Sequence, residues 1–390
     1  MAFLSRFCLR VITVVGSILF LSRAALALVD QVEVKLFAAH KNVSSVEVIG
    51  SFKLLSQKER IPKEGRYVIS CREGGMTQLY QLRDGGSKHI VDGRRITLAG
   101  RNDRGLIICR PDGLQRRYAG QISFQNRGGL LSIHNLVDSR EYVVSVAASE
   151  MPHFFHPEAR KALCVLTLSR LSNTGSPARL DDTTQFESYL GLEPVNESTR
   201  EIVNAVFGKR LTYESTSVRA FYHSTCAGST SDGFEIFGRG AKTLAYLQSV
   251  PCKNCIDSPF FKKRSTRMSE VELKKIFDGA LPVVAMAGSG NRPLLVNLVS
   301  DDGSVKKSIS GYQAWLTIGR ALGWSRVPGT RYAFKQVLFR GKKQVEIISS
   351  GAGHGVGLCQ WGAHGLAVSG KTYEEILEFY FPKAKLSERL

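Results

Sequence analysis

Between residues 31 and 133 apolar positions come in short runs, among them Tyr67-Val-Ile-Ser-Cys71, Leu79-Tyr-Gln-Leu82 and Arg104-Gly-Leu-Ile-Ile-Cys109. Gly74-Gly75, Asp84-Gly85-Gly86, Asp92-Gly93 and Asp112-Gly113 punctuate them, which predicts strands joined by turns. Residues 121–124 and 130–134 predict a hairpin turning at Arg127-Gly128-Gly129. The pattern changes at Asp138. Residues 138–150 and 157–171 read as two helices joined by a polar-aromatic corner, Pro152-His-Phe-Phe-His156. Asp138 is placed to cap the first, with Glu141 as its reciprocal partner, and Pro157 suits the first position of the second.

Further along, the pattern predicts helices over 197–207, 269–278, 311–322, 358–367 and from Thr372 to Pro382. Ser269 with Glu272, and Thr372 with Glu375, have the spacing of reciprocal caps. Strands are predicted at 211–214, 218–223, 293–300, 331–340 and 344–350. Helices and strands mingle without regular alternation, so the fold class is α+β, with a mostly-β N-terminal region.

Glu150 ends an apolar helix and precedes an aromatic wall. A carboxylate at a helix C-terminus opposes the helix dipole, and apolar neighbours disfavour its charge. Both effects raise the pKa, as a general acid working near neutral pH requires. No second carboxylate stands out beside it, and no Ser-His-Asp order, nucleophile elbow or H-E-x-x-H helix is present.

The chain has 390 residues, 43% of them hydrophobic, and a formal net charge of +19. Arg6 and Arg10, the apolar run 11–21 and Ala25-Leu-Ala27 read as an export signal over 1–27, with an uncleaved anchor as the alternative. Export to the periplasm or cell envelope argues against nucleic acid as the partner. It favours anionic envelope polymers or a membrane surface.

Without Cys8, seven cysteines remain, too sparse for a disulfide scaffold in a chain this long. Cys164 falls on an apolar helix face and reads as a buried hydrophobe. Cys71 and Cys109, in strand-like surroundings, either pair or pack singly. His223-x2-Cys226 followed by Cys252-x2-Cys255 supplies an imidazole and three sulfurs, the donor set of a closed structural zinc site. A disulfide and a redox dithiol are the alternatives. In residues 350–365 glycines surround His354 and lead into Gln360-Trp361. Glycine permits close ligand approach, and tryptophan beside an amide suits a sugar ring. A phosphate loop would need a Gly-Lys-Ser/Thr ending, which is missing.

These constellations, in this order after an export signal, resemble the SpoIID/LytB family of bacterial peptidoglycan-acting proteins. The likeness is carried by Arg140-Glu-Tyr142, Ser149-Glu-Met-Pro152, Pro157-Glu-Ala159, Asp182-Thr-Thr-Gln185, Phe221-Tyr-His-Ser-Thr-Cys-Ala-Gly228, Tyr246-Leu-Gln-Ser-Val-Pro251, Gly353-His-Gly-Val-Gly-Leu-Cys-Gln-Trp-Gly-Ala363 and Tyr380-Phe-Pro382. It implies an N-terminal β-rich region over 28–117 and a family domain over 118–390. It implies a lytic transglycosylase that cleaves MurNAc–GlcNAc bonds of peptide-stripped glycan strands and leaves 1,6-anhydroMurNAc ends. Glu150 would be the acid/base, and Ser224, His354, Gln360 and Trp361 the sugar contacts. Zinc would be held through His223 and Cys226, with Cys252 and Cys255 completing the set. The family also contains non-catalytic activators of a cell-wall amidase, the alternative reading. The chain departs from the family pattern in Ala162-Leu-Cys-Val-Leu-Thr-Leu-Ser-Arg170, with Leu168 where the family has arginine and Arg170 where it has tyrosine, and in Ala227 and Leu358-Cys359.

Overall fold

In the computed structural model the described residues are 30–40, 42–55, 64–101, 105–174, 177–183, 187–238 and 244–388. The export signal predicted for 1–27 lies outside them, as do Thr184 and Gln185. The fold is α+β. The helices among the described residues are α1 (Ser139–Glu150), α2 (Pro157–Leu171), α3 (Glu197–Val206), α4 (Gly233–Phe237), α5 (Glu270–Ile276), α6 (Gly311–Leu322), α7 (Gln360–Val368) and α8 (Tyr373–Tyr380). None is long and apolar enough to cross a membrane. The described residues form two compact units, one drawn from those up to Phe154 and those between Thr167 and Lys209, the other from Phe155–Leu166 and those between Arg210 and Glu388.

The first unit contains two six-stranded sheets. One runs in the order Ala178–Asp181, Gln31–Leu36, Leu130–Asp138, Gln121–Arg127, Arg95–Gly100, Phe52–Leu54. The other runs Gly86–Gly93, Met76–Arg83, Arg66–Arg72, Ser45–Ile49, Leu106–Cys109, Gln115–Tyr118. Burial alternates along Gln31–Leu36 and Leu130–Asp138, the period of a strand with one covered face. Phe52, Tyr67, Ile69, Leu79, Ile96, Leu98 and Phe124 fill the core, with the Phe52 and Tyr67 rings 4.6 Å apart. Residue 117 marks no break. Gln121–Arg127 pairs with Arg95–Gly100, and Leu130–Asp138 with Gln31–Leu36, so one sheet draws strands from both sides of that point. Asp182 closes the end of the Gln31–Leu36 strand. It accepts from the backbone N–H groups of Phe37 (2.7 Å) and Ala38 (2.9 Å) and pairs with Arg116 at 3.0 Å.

Cys71 and Cys109 are free thiols on Arg66–Arg72 and Leu106–Cys109, with Ser45–Ile49 between those strands. Two strand spacings are about 9.6 Å, beyond the Cα separation a disulfide spans.

Asp138 caps α1 by accepting from Arg140 N–H. Glu141 does not return the bond. It pairs instead with Arg200 of α3, and a partner brought in by the fold outcompetes the local cap. The long apolar run of α2 is buried from Ala162 through Leu166, and Cys164 is the small buried hydrophobe expected of it.

In the second unit two three-stranded sheets, Arg264–Ser269 with Lys342–Ser350 and Arg331–Phe339, and Leu281–Ala287 with Pro293–Val299 and Val305–Ser310, share a core with α5 and α6. Leu273, Phe277, Val296, Trp315, Ile318, Tyr332 and Ile347 form it, and the buried Trp315 Nε1–H donates to Val327 O at 2.9 Å. The capping boxes at Ser269 and Thr372 are both formed. The strand predicted over 218–223 shrinks to Tyr222–His223, because Arg219 N–H is taken by the Tyr246 hydroxyl at 2.7 Å rather than by a neighbouring strand. Two short ladders arrange the rest. Tyr222–His223 runs parallel to Leu358–Cys359 with His223 beside Cys359, and Gly228–Ser229 runs antiparallel to Pro251–Cys252 with Gly228 beside Cys252.

Candidate functional site

The sequence-predicted residues divide between the units: Glu150 belongs to the first, and Ser224, His354, Gln360, Trp361 and the cysteine motifs belong to the second.

Glu150 is the last residue of α1, and Met151 N–H closes the final turn on Ala147 O. One face of α1 is pinned to residues 187–191. Ser188 N–H donates to Glu150 Oε1 at 2.5 Å, Leu190 N–H to Ser149 Oγ at 3.3 Å, and Ser145 Oγ to Gly191 O at 2.7 Å. Gly191 adopts φ +79°, and a Cβ there would collide with Arg117 O, so the segment needs glycine at that point. The half-buried Glu150 carboxylate is thus oriented by a backbone donor that the sequence pattern did not reveal.

Next to Ser188 stands a second carboxylate, also missed from sequence. Glu187 is 2% exposed. Its oxygens accept from Tyr142 Oη at 3.0 Å and Thr167 Oγ1 at 2.8 Å, and Arg170 lies 3.9 Å away. Both oxygens are engaged by neighbouring side chains, which makes Glu187 a brace. Burial first, then the Glu187 charge, hold the Tyr142 hydroxyl well above its ordinary pKa. Tyr189 stacks between Tyr142 (5.3 Å) and Tyr118 (5.9 Å) and donates to the buried Asn135 at 2.6 Å. The departures in α2 fit this setting: Leu168 is buried, and Arg170 faces Glu187.

In the second unit the loop 351–357 places Gly351, Gly353, Gly355 and Gly357 at φ between +70° and +91°. Its backbone is held by Thr225 and Ala352, which exchange both hydrogen bonds, by Ser231 N–H on Gly355 O, and by Leu358 N–H on Phe221 O. A Cβ at Gly353 would press on His223 Cβ at 2.9 Å. The half-buried His354 accepts from Val356 N–H at Nδ1 (3.0 Å), which leaves Nε2 as its donor when neutral. His223 is buried, and its Nδ1–H donates to Val356 O at 3.1 Å. Burial, then the neighbouring His354 and Arg292, push its pKa well below the ordinary value, so it is neutral. Trp361 N–H donates to Ser224 O at 3.1 Å. The Trp361 ring packs against Phe155 (5.2 Å) and His364 (5.9 Å), while Gln360 is buried in the first turn of α7. Ser224, His354, Gln360 and Trp361 thus converge on one loop–helix junction, and Phe155 of the expected aromatic wall joins them.

The metal motifs come together differently from the sequence reading. The thiols of Cys226, Cys252, Cys255 and Cys359, all buried, lie within 4.8 Å of one another. Cys226 Sγ is 3.6 Å from Cys255 Sγ, and the Tyr380 hydroxyl is 3.1 Å from Cys252 Sγ. His223 stands outside this group, and its place is taken by Cys359, which the pairing of Tyr222–His223 with Leu358–Cys359 swings toward Cys226. Contacts with Cys226 hold the Cys255 and Cys252 thiols below their ordinary pKa, while burial holds Cys359 above it. Four buried soft donors from three chain segments fit a structural zinc-class ion.

Residues 127–213 match the family described as Stage II sporulation protein, SpoIID. The chain is 28% identical over 280 residues to Stage II sporulation protein D of Bacillus subtilis, covering 66% of this chain and 76% of that protein. It is 24% identical over 302 residues to an uncharacterized protein of Brachyspira hyodysenteriae, covering 74% of this chain and 78% of that protein. It is also 24% identical over 281 residues to the amidase enhancer of Bacillus subtilis, covering 62% of this chain and 40% of that protein.

Proposed function

The chain belongs to the SpoIID/LytB family, and from that premise we propose that it is an exported peptidoglycan lytic transglycosylase of the cell envelope, acting in wall remodelling. Family membership gives it a cell-wall-related role; the reaction is our reading. It cleaves MurNAc–GlcNAc bonds, preferably in strands stripped of stem peptides. The observation that carries the reading is the Glu150 carboxylate at the end of α1, oriented by Ser188 N–H.

The neutral Glu150 donates its proton to the glycosidic oxygen as the C1–O bond breaks and positive charge develops on the MurNAc ring. The ionised Glu150 then takes the proton of the C6 hydroxyl, whose oxygen bonds to C1 and closes the 1,6-anhydro ring. The nucleophile is internal, so one carboxylate serves both steps and no second carboxylate is needed as a base to activate water. A backbone donor such as Ser188 N–H steadies the ionised form that acts as base. Within the second unit, His354 Nε2, Ser224 and Gln360 are the groups we assign to hydrogen bonds with glycan hydroxyls, and Trp361 offers an apolar face for a ring. The net charge of +19 favours the anionic wall polymers as partners over neutral ones.

The test is incubation of peptide-stripped sacculi with the chain and with Glu150→Gln. Anhydro-terminated fragments are expected from the first and none from the second; equal release from both sinks the assignment. A second reading, stimulation of a cell-wall amidase, is favoured by the likeness to the amidase enhancer. Amidase activation that survives Glu150→Gln, with no fragments from the chain alone, selects it.

A further inference from the structure

We propose that Cys226, Cys252, Cys255 and Cys359 hold one zinc-class divalent cation in a closed four-thiolate site, from which His223 is excluded. The inference is independent of the transglycosylase reading.

A tetrahedral ion with Zn–S bonds of about 2.3 Å sets its sulfurs roughly 3.8 Å apart. The four thiols already lie within 4.8 Å of one another, with Cys226 and Cys255 at 3.6 Å. A disulfide joins sulfurs in pairs, whereas here four converge on one point. The fold delivers them from separate segments: Gly228 beside Cys252 on one ladder, His223 beside Cys359 on the other, and Cys252-x2-Cys255 as a turn-borne pair.

Thiolates on a metal are steadied by hydrogen-bond donors aimed at sulfur. Cys359 Sγ receives the backbone N–H groups of Cys226 and Gly362, each at 3.3 Å, and Cys252 Sγ faces the Tyr380 hydroxyl. A Cβ at Gly362 would collide with both Tyr380 Oη and Cys252 Sγ, so glycine leaves α7 room to approach the cluster. All four sulfurs are buried, and four protein ligands leave no open position for water. The ion therefore braces structure and does not perform chemistry.

The consequence concerns α7. Cys359 is its N-cap residue, directly before Gln360 and Trp361. Loading the site ties the start of α7 to the Cys226 and Cys252–Cys255 segments, and so sets the position of the residues assigned to the sugar.

The test uses the chain purified under reducing conditions, with metal content by mass spectrometry and the visible spectrum after cobalt(II) exchange. One zinc per chain is expected, with the intense bands and sulfur-to-metal charge transfer of a tetrahedral four-sulfur site. His223→Ala keeps both stoichiometry and spectrum. Cys359→Ser lowers zinc affinity at least tenfold. Cys359→His, which retains a tetrahedral donor set, binds but shifts the bands to shorter wavelength as one sulfur is replaced by nitrogen. Loss of zinc in His223→Ala, a three-sulfur spectrum unaffected by either change at Cys359, or four thiols oxidised to two disulfides with no metal bound overturns the proposal.

Discussion

Replacing Tyr142 with phenylalanine tests whether the buried Glu187 holds residues 187–191 against α1. The change removes one hydroxyl donor, 3.0 Å from Glu187 Oε2, and leaves the ring stacked on Tyr189. Glu187 keeps Thr167 Oγ1 at 2.8 Å and the more distant Arg170 at 3.9 Å. A hydrogen bond to a charged group contributes about 1.5–3 kcal/mol, and leaving a buried acceptor short of a donor falls in the same range, so the expected loss is about 2 kcal/mol. For a unit of this size that lowers the melting temperature by roughly 4–8 °C. Urea denaturation with Tyr142→Phe, Glu187→Gln and the double variant reads the coupling. The double variant is predicted to lose at least ~1 kcal/mol less than the sum of the single losses, because both single changes break the same bond. Hydrogen exchange in residues 187–191 rises in each variant. Strict additivity, or a Tyr142→Phe loss under ~0.5 kcal/mol, refutes the brace.

Arg170→Met is expected to lose only about 1 kcal/mol by the same denaturation, since Arg170 is 24% exposed and 3.9 Å from its partner. Gly362→Ala forces a methyl group onto Tyr380 and Cys252 and is expected to destabilise the second unit by about 1–3 kcal/mol in thermal unfolding. Tyr118, Tyr142 and Tyr189 are all held above their ordinary pKa, by burial first. The unfolded chain sheds these protons near pH 10 and the folded chain does not. Their stabilisation is complete below pH 10 and falls above it by about 1.4 kcal/mol per pH unit for each tyrosine. An alkaline titration should show their tyrosinate absorbance appearing only with unfolding; early ionisation of the three in the folded chain contradicts the stack.

Local chemistry was legible in the sequence wherever it is local in the fold. The reciprocal caps at Ser269 and Thr372, the Pro157 start of α2 and the alternate glycines of the His354 loop all stand as read. What escaped depends on pairing between distant segments. Glu141 has the spacing of a reciprocal cap, but Arg200 reaches it from α3. Cys359 stood out only as a departure from the family pattern, because nothing in its neighbourhood places it beside His223; a two-residue parallel ladder does. Residues 187–191 have neither helical nor strand periodicity, yet they orient Glu150 through backbone groups that any residue carries. Gly191 was the available clue there, a glycine required by close approach to Arg117.

In the proposed mechanism Glu150 directs an internal nucleophile. Mass spectrometry of fragments released from peptide-stripped glycan in heavy-oxygen water measures this directly. The expected products are 1,6-anhydroMurNAc ends that carry no solvent oxygen. Reducing MurNAc ends labelled at C1 would mean that water is the nucleophile and would contradict the mechanism.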